Sequence, residues 1–192
     1  MAEAVKRGGM RLTIPTALTL FRIALIPVLG LCFLLPPPWM NYTAVAVFVL
    51  AAVTDWLDGF LARLLKQSSS FGAFLDPVAD KLMVAIALVA LVSVNPGLWI
   101  AIPAAVIIGR EIAVSALREW MAEIGARASV AVSMAGKVKT AAQMIAIILL
   151  LYGGPLYGIP LYTIGLGLLW VAAVLTIYSA LIYLRAAWRV LD

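Results

Sequence analysis

Long apolar runs, separated by short polar or turn-forming stretches, make up most of the chain. Three of the separating stretches carry no charge and contain Pro and Gly, which typically end helices: 36–41, 95–97 and 153–160. The remaining junctions are rich in Lys and Arg. Alternation of the two kinds of junction predicts six spans of about 20 residues, enough to cross a hydrocarbon core of about 30 Å. The predicted spans are 13–35, 42–66, 72–94, 97–120, 132–152 and 160–184.

The composition places these spans in lipid. Hydrophobic residues make up 65% of the 192 residues, charged residues only 12%, and the mean hydropathy is +1.10. A soluble domain is usually about 45–50% apolar and about 25% charged. The chain has too few polar residues to cover so much apolar surface in water. The sequence therefore predicts an all-α polytopic membrane protein with six transmembrane helices.

The charge pattern predicts the orientation of the spans. Lys and Arg number 14 against nine Asp and Glu, a net charge of +5. In a soluble protein this excess would suggest nucleic acid, but in a membrane protein Lys and Arg mark the cytoplasmic side. We expect both termini to be cytoplasmic and nucleic acid not to be a partner. Residues 1–11 are expected to form a basic juxtamembrane segment, and residues 12–192 a single transmembrane domain.

The rare residue types exclude several chemistries. Histidine is absent and Cys32 is the single cysteine. Without histidine, Ser-His-Asp and Cys-His triads and histidine metal ligands are excluded. With one cysteine, internal disulfides and thiolate zinc sites are excluded. Any proton transfer must therefore use Asp, Glu, Lys, Tyr or water.

Four carboxylates lie inside predicted membrane spans, where a charge is energetically most unfavourable. Asp55 and Asp58 lie in the second predicted span, and Asp76 and Asp80 lie in the third. Helical spacing puts each pair on one helix face, and the short connection makes the two helices antiparallel neighbours. Their mutual repulsion in low dielectric favours divalent cations, and oxygen ligands suit Mg²⁺ or Mn²⁺ with a bound phosphate. Two such ions could be shared among the four carboxylates.

Small residues lie on the same two faces. Gly59, Ala62 and Gly72 allow close approach of either a ligand or a neighbouring helix, and their spacing alone does not separate the two readings.

Residues 55–80 follow the pattern D-x₂-D-G-x₂-A-R-x₈-G-x₃-D-x₃-D, which resembles the signature of the CDP-alcohol phosphotransferase family. Segments 14–22, 109–123 and 136–140 resemble the bacterial branch of that family that makes phosphatidylglycerophosphate. The resemblance implies a six-helix fold that forms homodimers in the bacterial cytoplasmic membrane. It also implies a polar cavity that faces the cytoplasm.

The resemblance also implies a reaction and its residues. The phosphatidyl group of CDP-diacylglycerol would pass to sn-glycerol 3-phosphate, giving phosphatidylglycerophosphate and CMP, the first committed step toward phosphatidylglycerol and cardiolipin. Matching positions make Asp55, Asp58 and Asp76 ligands of two Mg²⁺ or Mn²⁺ ions. Asp80 would be the general base and a further metal ligand. The CDP-lipid would be bound by Asp58, Gly59, Ala62, Arg63 and Gly72.

The acceptor phosphate requires positive charge. Arg110 and Arg118 are about 80° apart on a helix, so both can face one cavity, whereas Lys137 and Lys139 are about 200° apart. Both lysines would line the pocket only if the start of their helix is loose. All four are expected to bind glycerol phosphate, although each can also be an ordinary orientation signal.

Arg22 lies roughly 13 Å inside the first span, too deep for a purely topological arginine. Together with Thr19 it is expected to line the cavity. Pairing of Arg22 with a carboxylate is the alternative.

Other functions remain open at this point. A family enzyme could use inositol phosphate, serine or phosphatidylglycerol as acceptor, and the acidic motif does not separate these. A cation-coupled transporter would require helices broken at mid-depth, but residues 55–63 contain neither Pro nor a double Gly. A non-catalytic lipid-binding scaffold is the third alternative.

Overall fold

The computed structural model of the protein describes residues 13–65, 70–124 and 134–191. Within these ranges the chain forms six α-helices and no strand, which confirms the predicted fold class. The helices are α1 (Ile14–Cys32), α2 (Trp39–Leu65), α3 (Ser70–Val94), α4 (Leu98–Glu123), α5 (Met134–Tyr152) and α6 (Leu161–Leu191). The predicted basic segment 1–11 lies outside the described residues.

Local sequence explains where several helices begin and end. Thr13 caps α1: its hydroxyl accepts a hydrogen bond from the backbone N–H of Thr16 at 3.4 Å. The uncharged stretch after α5 turns through Gly153 and Gly158, whose φ angles of 72° and 81° favour glycine. The three neutral stretches predicted as turns therefore separate α1 from α2, α3 from α4 and α5 from α6.

The last helix extends beyond its membrane span. The apolar stretch Leu161–Arg185 agrees with the predicted sixth span, 160–184, and α6 itself continues to Leu191. The added residues include Leu, Ala and Arg, which are favourable in helices. The loss of apolar character at Arg185 therefore ends the hydrophobic span but not the helix.

Five of the described helices are long and apolar enough to cross a membrane. In α5 the described apolar stretch, Val138–Tyr152, is shorter than such a span. Many large apolar side chains remain exposed on these helices, Trp99 and Phe74 among them. Such exposure fits a protein whose outer surface contacts lipid.

Internal packing divides the chain into two compact units, unit 1 (Met1–Ala87) and unit 2 (Leu88–Asp192). In unit 1, α1 packs against α2, with Leu29 and Phe48 fully buried. In unit 2, α6 packs against α5 and α4, with Ile107, Ile147 and Leu169 fully buried. The single transmembrane domain predicted for residues 12–192 stays a prediction.

The contact between α5 and α6 depends on one glycine. A Cβ added at Gly165 would lie 3.0 Å from Cβ of Leu149 and 3.1 Å from both the carbonyl oxygen of Ala146 and Cγ of Leu150. These neighbours include backbone, which cannot rotate away. Close helix approach through a small residue is typical of membrane helix interfaces.

We expect Gly165→Ala to lower the thermal stability of the detergent-solubilised protein. The added methyl overpacks this contact, which typically lowers the free energy of unfolding by about 1–3 kcal/mol. Gly167→Ala is the matched control, since a Cβ there meets nothing within 4 Å. Both variants gain the same helix propensity, so a thermal melt that ranks them equally would contradict the assignment of Gly165 to the helix contact.

Candidate functional site

The four signature carboxylates lie on two helices of unit 1. Asp55 and Asp58 belong to α2, and Asp76 and Asp80 to α3. The Asp58 side chain is only 5% exposed, whereas those of Asp55, Asp76 and Asp80 are 43%, 43% and 49% exposed. One carboxylate of the four is therefore buried, and three remain accessible from outside the protein.

A single guanidinium joins all four. Nη1 of Arg22, on α1, lies 2.7 Å from Oδ1 of Asp55 and 3.3 Å from Oδ1 of Asp76, and it donates to Oδ1 of Asp80. Nη2 of the same side chain donates to Oδ2 of the buried Asp58. Of the two roles left open for Arg22 by the sequence, the structure shows the pairing with carboxylates.

The three accessible carboxylates form a group that could hold a metal ion. Asp55, Asp76 and Asp80 each offer an oxygen, and these oxygens lie within 4.8 Å of one another. An all-carboxylate donor set suits hard divalent cations such as Mg²⁺ or Mn²⁺. Asp58 is outside this group of three, and its contact with Arg22 connects it to the same cluster. The predicted convergence of the acidic residues is thus present in unit 1.

Thr19 lies one turn before Arg22 on α1. It is buried, and its hydroxyl donates to the backbone carbonyl of Pro15 at 3.1 Å. The hydroxyl is therefore engaged within its own helix, as is common for Thr in apolar helices.

The residues expected to bind the CDP-lipid are neighbours of the acidic pairs along α2 and α3. A Cβ added at Gly59 meets no atom within 4 Å, so the space beside this residue is open. Ala62 and Gly72 are half-buried, and Arg63 is exposed in the last turn of α2. Open space next to the carboxylates is the arrangement that a bulky ligand requires.

Unit 2 contains a second charged cluster. Oε1 of Glu111, on α4, accepts hydrogen bonds from Nη1 of Arg110 at 3.0 Å and from Nζ of Lys139, on α5, at 2.6 Å. The side chains of Arg110 and Lys139 are only 14% and 7% exposed. The cluster therefore holds two cations and one anion inside the unit, with one net positive charge.

For the other two predicted acceptor residues, Arg118 and Lys137, the described part of the structure gives no contact with this cluster. Arg118 is exposed on α4, two turns after Arg110. Lys137 belongs to the first turn of α5, but its side chain lies outside the described residues. The side chain of Lys139, which the structure describes, lies in the charged cluster.

Sequence reasoning missed the contribution of α6. Oγ of Ser179 accepts a hydrogen bond from Nη2 of Arg110 at 2.7 Å and donates to the carbonyl of Thr176 at 3.0 Å. The Arg110 guanidinium also lies 5.9 Å from the centre of the Tyr183 ring. Gln143, four residues after Lys139, is buried as well. Polar residues inside an apolar span were the available signal for Ser179 and Gln143.

Known proteins match nearly the whole chain. A family profile described as CDP-alcohol phosphatidyltransferase covers residues 12–178. The CDP-diacylglycerol–glycerol-3-phosphate 3-phosphatidyltransferase of Escherichia coli (strain K12) is 56% identical over 178 residues, which are 93% of this chain and 96% of that protein. The protein of the same name from Shigella flexneri serotype 5b (strain 8401) is 55% identical over 178 residues, with the same coverage.

The family profile spans both the acidic motif on α2 and α3 and the cluster on α4 and α5. The matches confirm the resemblance that the spacing of four aspartates indicated. The chain belongs to the CDP-alcohol phosphatidyltransferase family.

Proposed function

We propose that this protein is the transferase that moves the phosphatidyl group of CDP-diacylglycerol to sn-glycerol 3-phosphate and so makes phosphatidylglycerophosphate and CMP. The carboxylate cluster around Arg22 carries the proposal, because phosphoryl transfer requires charge stabilisation at the reacting phosphorus. The relatives at 55–56% identity, named for this reaction, support the choice of donor and acceptor.

The metal ions are assigned to unit 1. Asp55, Asp76 and Asp80 would hold Mg²⁺ or Mn²⁺, and the family resemblance adds Asp58 and a second ion. When bound, the cations would polarise the diphosphate and neutralise the charge of the departing CMP. The convergence of three accessible carboxylates within 4.8 Å supports this assignment.

The CDP headgroup is assigned to the space beside the carboxylates. Gly59, Ala62 and Gly72 would admit the nucleotide, Asp58 would help to fix it, and Arg63 would donate to its phosphate oxygens. The open space at Gly59 supports the first part of this assignment.

Asp80 is the proposed general base. A hydroxyl of glycerol 3-phosphate would give its proton to the Asp80 carboxylate while its oxygen forms a bond to the β-phosphorus. The bond from that phosphorus to the bridging oxygen breaks, and CMP leaves with the electron pair. Two features support Asp80: the absence of histidine and the half-exposed position of its carboxylate, which a substrate hydroxyl can reach.

The acceptor phosphate is assigned to the charged cluster of unit 2. Arg110 and Lys139 would bind it, and Arg118 and Lys137 would contribute further positive charge. Glu111 holds the first two cations in place and leaves one net positive charge for an anionic ligand.

The cellular setting follows from the charge pattern and the resemblance. All three uncharged turns would lie outside, and both termini with every Lys and Arg would lie on or near the cytoplasmic half of a bacterial inner membrane. The active site would face the cytoplasm, where glycerol 3-phosphate and CMP are soluble. A homodimer is proposed from the family resemblance.

An acceptor panel tests the function. We expect the purified protein with CDP-diacylglycerol and Mg²⁺ to release CMP only with sn-glycerol 3-phosphate, and mass spectrometry to identify phosphatidylglycerophosphate. Inositol phosphate, serine and phosphatidylglycerol should give no product, and a chelator should stop the reaction. Turnover of one of these three in place of glycerol 3-phosphate would refute the proposed acceptor.

Lys139→Gln tests the acceptor site. Loss of one charge-assisted hydrogen bond costs about 1.5–3 kcal/mol, so we expect KM for glycerol 3-phosphate to rise about tenfold or more while KM for CDP-diacylglycerol stays the same. The amide can still donate to Glu111, which preserves the cluster. Arg185→Gln is the control, since Arg185 is exposed on α6. Equal changes in both KM values would count against a specific role for Lys139.

A further inference from the structure

The proposed reaction gives no role to Arg22, which has the most buried charged side chain among the described residues of unit 1. Its side chain is only 1% exposed, and its Nε has no hydrogen-bond partner. A charged side chain inside a membrane span is expensive and needs a compensating role. Its burial also keeps the guanidinium away from a ligand that enters from outside.

The contacts of Arg22 are divided between its two terminal nitrogens. Nη2 binds the buried Asp58, which anchors the guanidinium. Nη1 contacts Oδ1 of each of the three accessible carboxylates, Asp55, Asp76 and Asp80. The three aspartates belong to the group whose oxygens converge within 4.8 Å.

Without Arg22 this convergence would be unfavourable. Three carboxylates at such separations repel one another, more strongly in low dielectric than in water. The planar guanidinium presents several donors in a fixed fork, so one side chain can hold carboxylates from two helices. An ammonium at the same place would keep the charge but not the fork.

We propose that Arg22 is a positioning residue of the metal site: anchored by Asp58, it holds Asp55, Asp76 and Asp80 in the arrangement that binds divalent cations. The inference rests on the proposed assignment of the metal to these carboxylates. Arg22 contacts the ligands from the buried side of the cluster and does not touch substrate. Groups that orient metal ligands in this way typically contribute 10–100-fold to metal affinity.

Electrostatics alone predicts the opposite effect. If Arg22 were only a nearby positive charge, its removal would strengthen cation binding, and replacement by Lys would change little. If its fork positions the ligands, both replacements weaken binding. The sign of the change in affinity therefore separates the two roles.

The test is Mn²⁺ binding, measured by electron paramagnetic resonance on the full-length protein in detergent. Arg22→Lys retains charge and is the variant that best preserves folding, and Arg22→Gln removes the charge. We expect both to bind Mn²⁺ at least about tenfold more weakly than the unmodified protein. Arg185→Lys, at an exposed position of α6, is the control and should bind normally. Size-exclusion chromatography selects the monodisperse fraction for each measurement.

Kinetics gives a second readout that a general loss of structure would not produce. We expect KM for Mg²⁺ to rise in Arg22→Lys while KM for glycerol 3-phosphate is unchanged. Normal Mn²⁺ affinity in Arg22→Lys, or tighter binding in Arg22→Gln, would overturn the positioning role. Absence of Mn²⁺ binding by the unmodified protein would instead refute the metal site of the proposed function, and this inference with it.

Discussion

The contact of one buried arginine with four aspartates is the interaction on which the acidic site depends. Arg22 is almost completely buried, yet it binds carboxylates from both α2 and α3. Removal of either partner of the buried Arg22–Asp58 pair would leave an unpaired charge inside the protein, which is strongly unfavourable. The packing of α1 against α2 places the guanidinium where the two acidic pairs meet. The buried charge of Arg22 thus brings the four aspartates of α2 and α3 together.

Unit 2 also pairs its buried charges, with the signs reversed. In its charged cluster, Glu111 binds the two cations Arg110 and Lys139. The net charge of each cluster is opposite in sign to that of its proposed ligand. The cluster of unit 1 is negative, which suits metal ions, and the cluster of unit 2 is positive, which suits a phosphate. Partial neutralisation lowers the cost of burial and leaves a net charge on each cluster. This balance explains why the few acids and the excess of bases are both informative.

Much of this organisation was predictable from the sequence. Apolar runs and neutral Pro- and Gly-containing turns indicated six helices, because both features act locally along the chain. The spacing of Asp55, Asp58, Asp76 and Asp80 indicated one site, because helical periodicity converts spacing into a shared face. The sixth predicted span agrees with the apolar stretch Leu161–Arg185, although α6 itself continues to Leu191, since a helix can continue after its apolar character is lost.

The contacts between helices could not be predicted in the same way. Two roles stayed open for Arg22 because no sequence pattern gives its distance from α2 and α3. Ser179 was missed for a related reason: a serine in an apolar helix commonly bonds to its own backbone, and its contact with Arg110 depends on how α6 packs on α4. Helical angles likewise did not choose between Lys137 and Lys139.

We propose that the carboxylates held by Arg22 are the metal ligands of the transferase. The sharpest test is an anomalous difference map from crystals grown with Mn²⁺ and CDP-diacylglycerol. We expect Mn²⁺ peaks at the carboxylates of Asp55, Asp76 and Asp80, with Arg22 still in contact with them. Mn²⁺ located elsewhere, or an Arg22 side chain turned away from these aspartates, would contradict it.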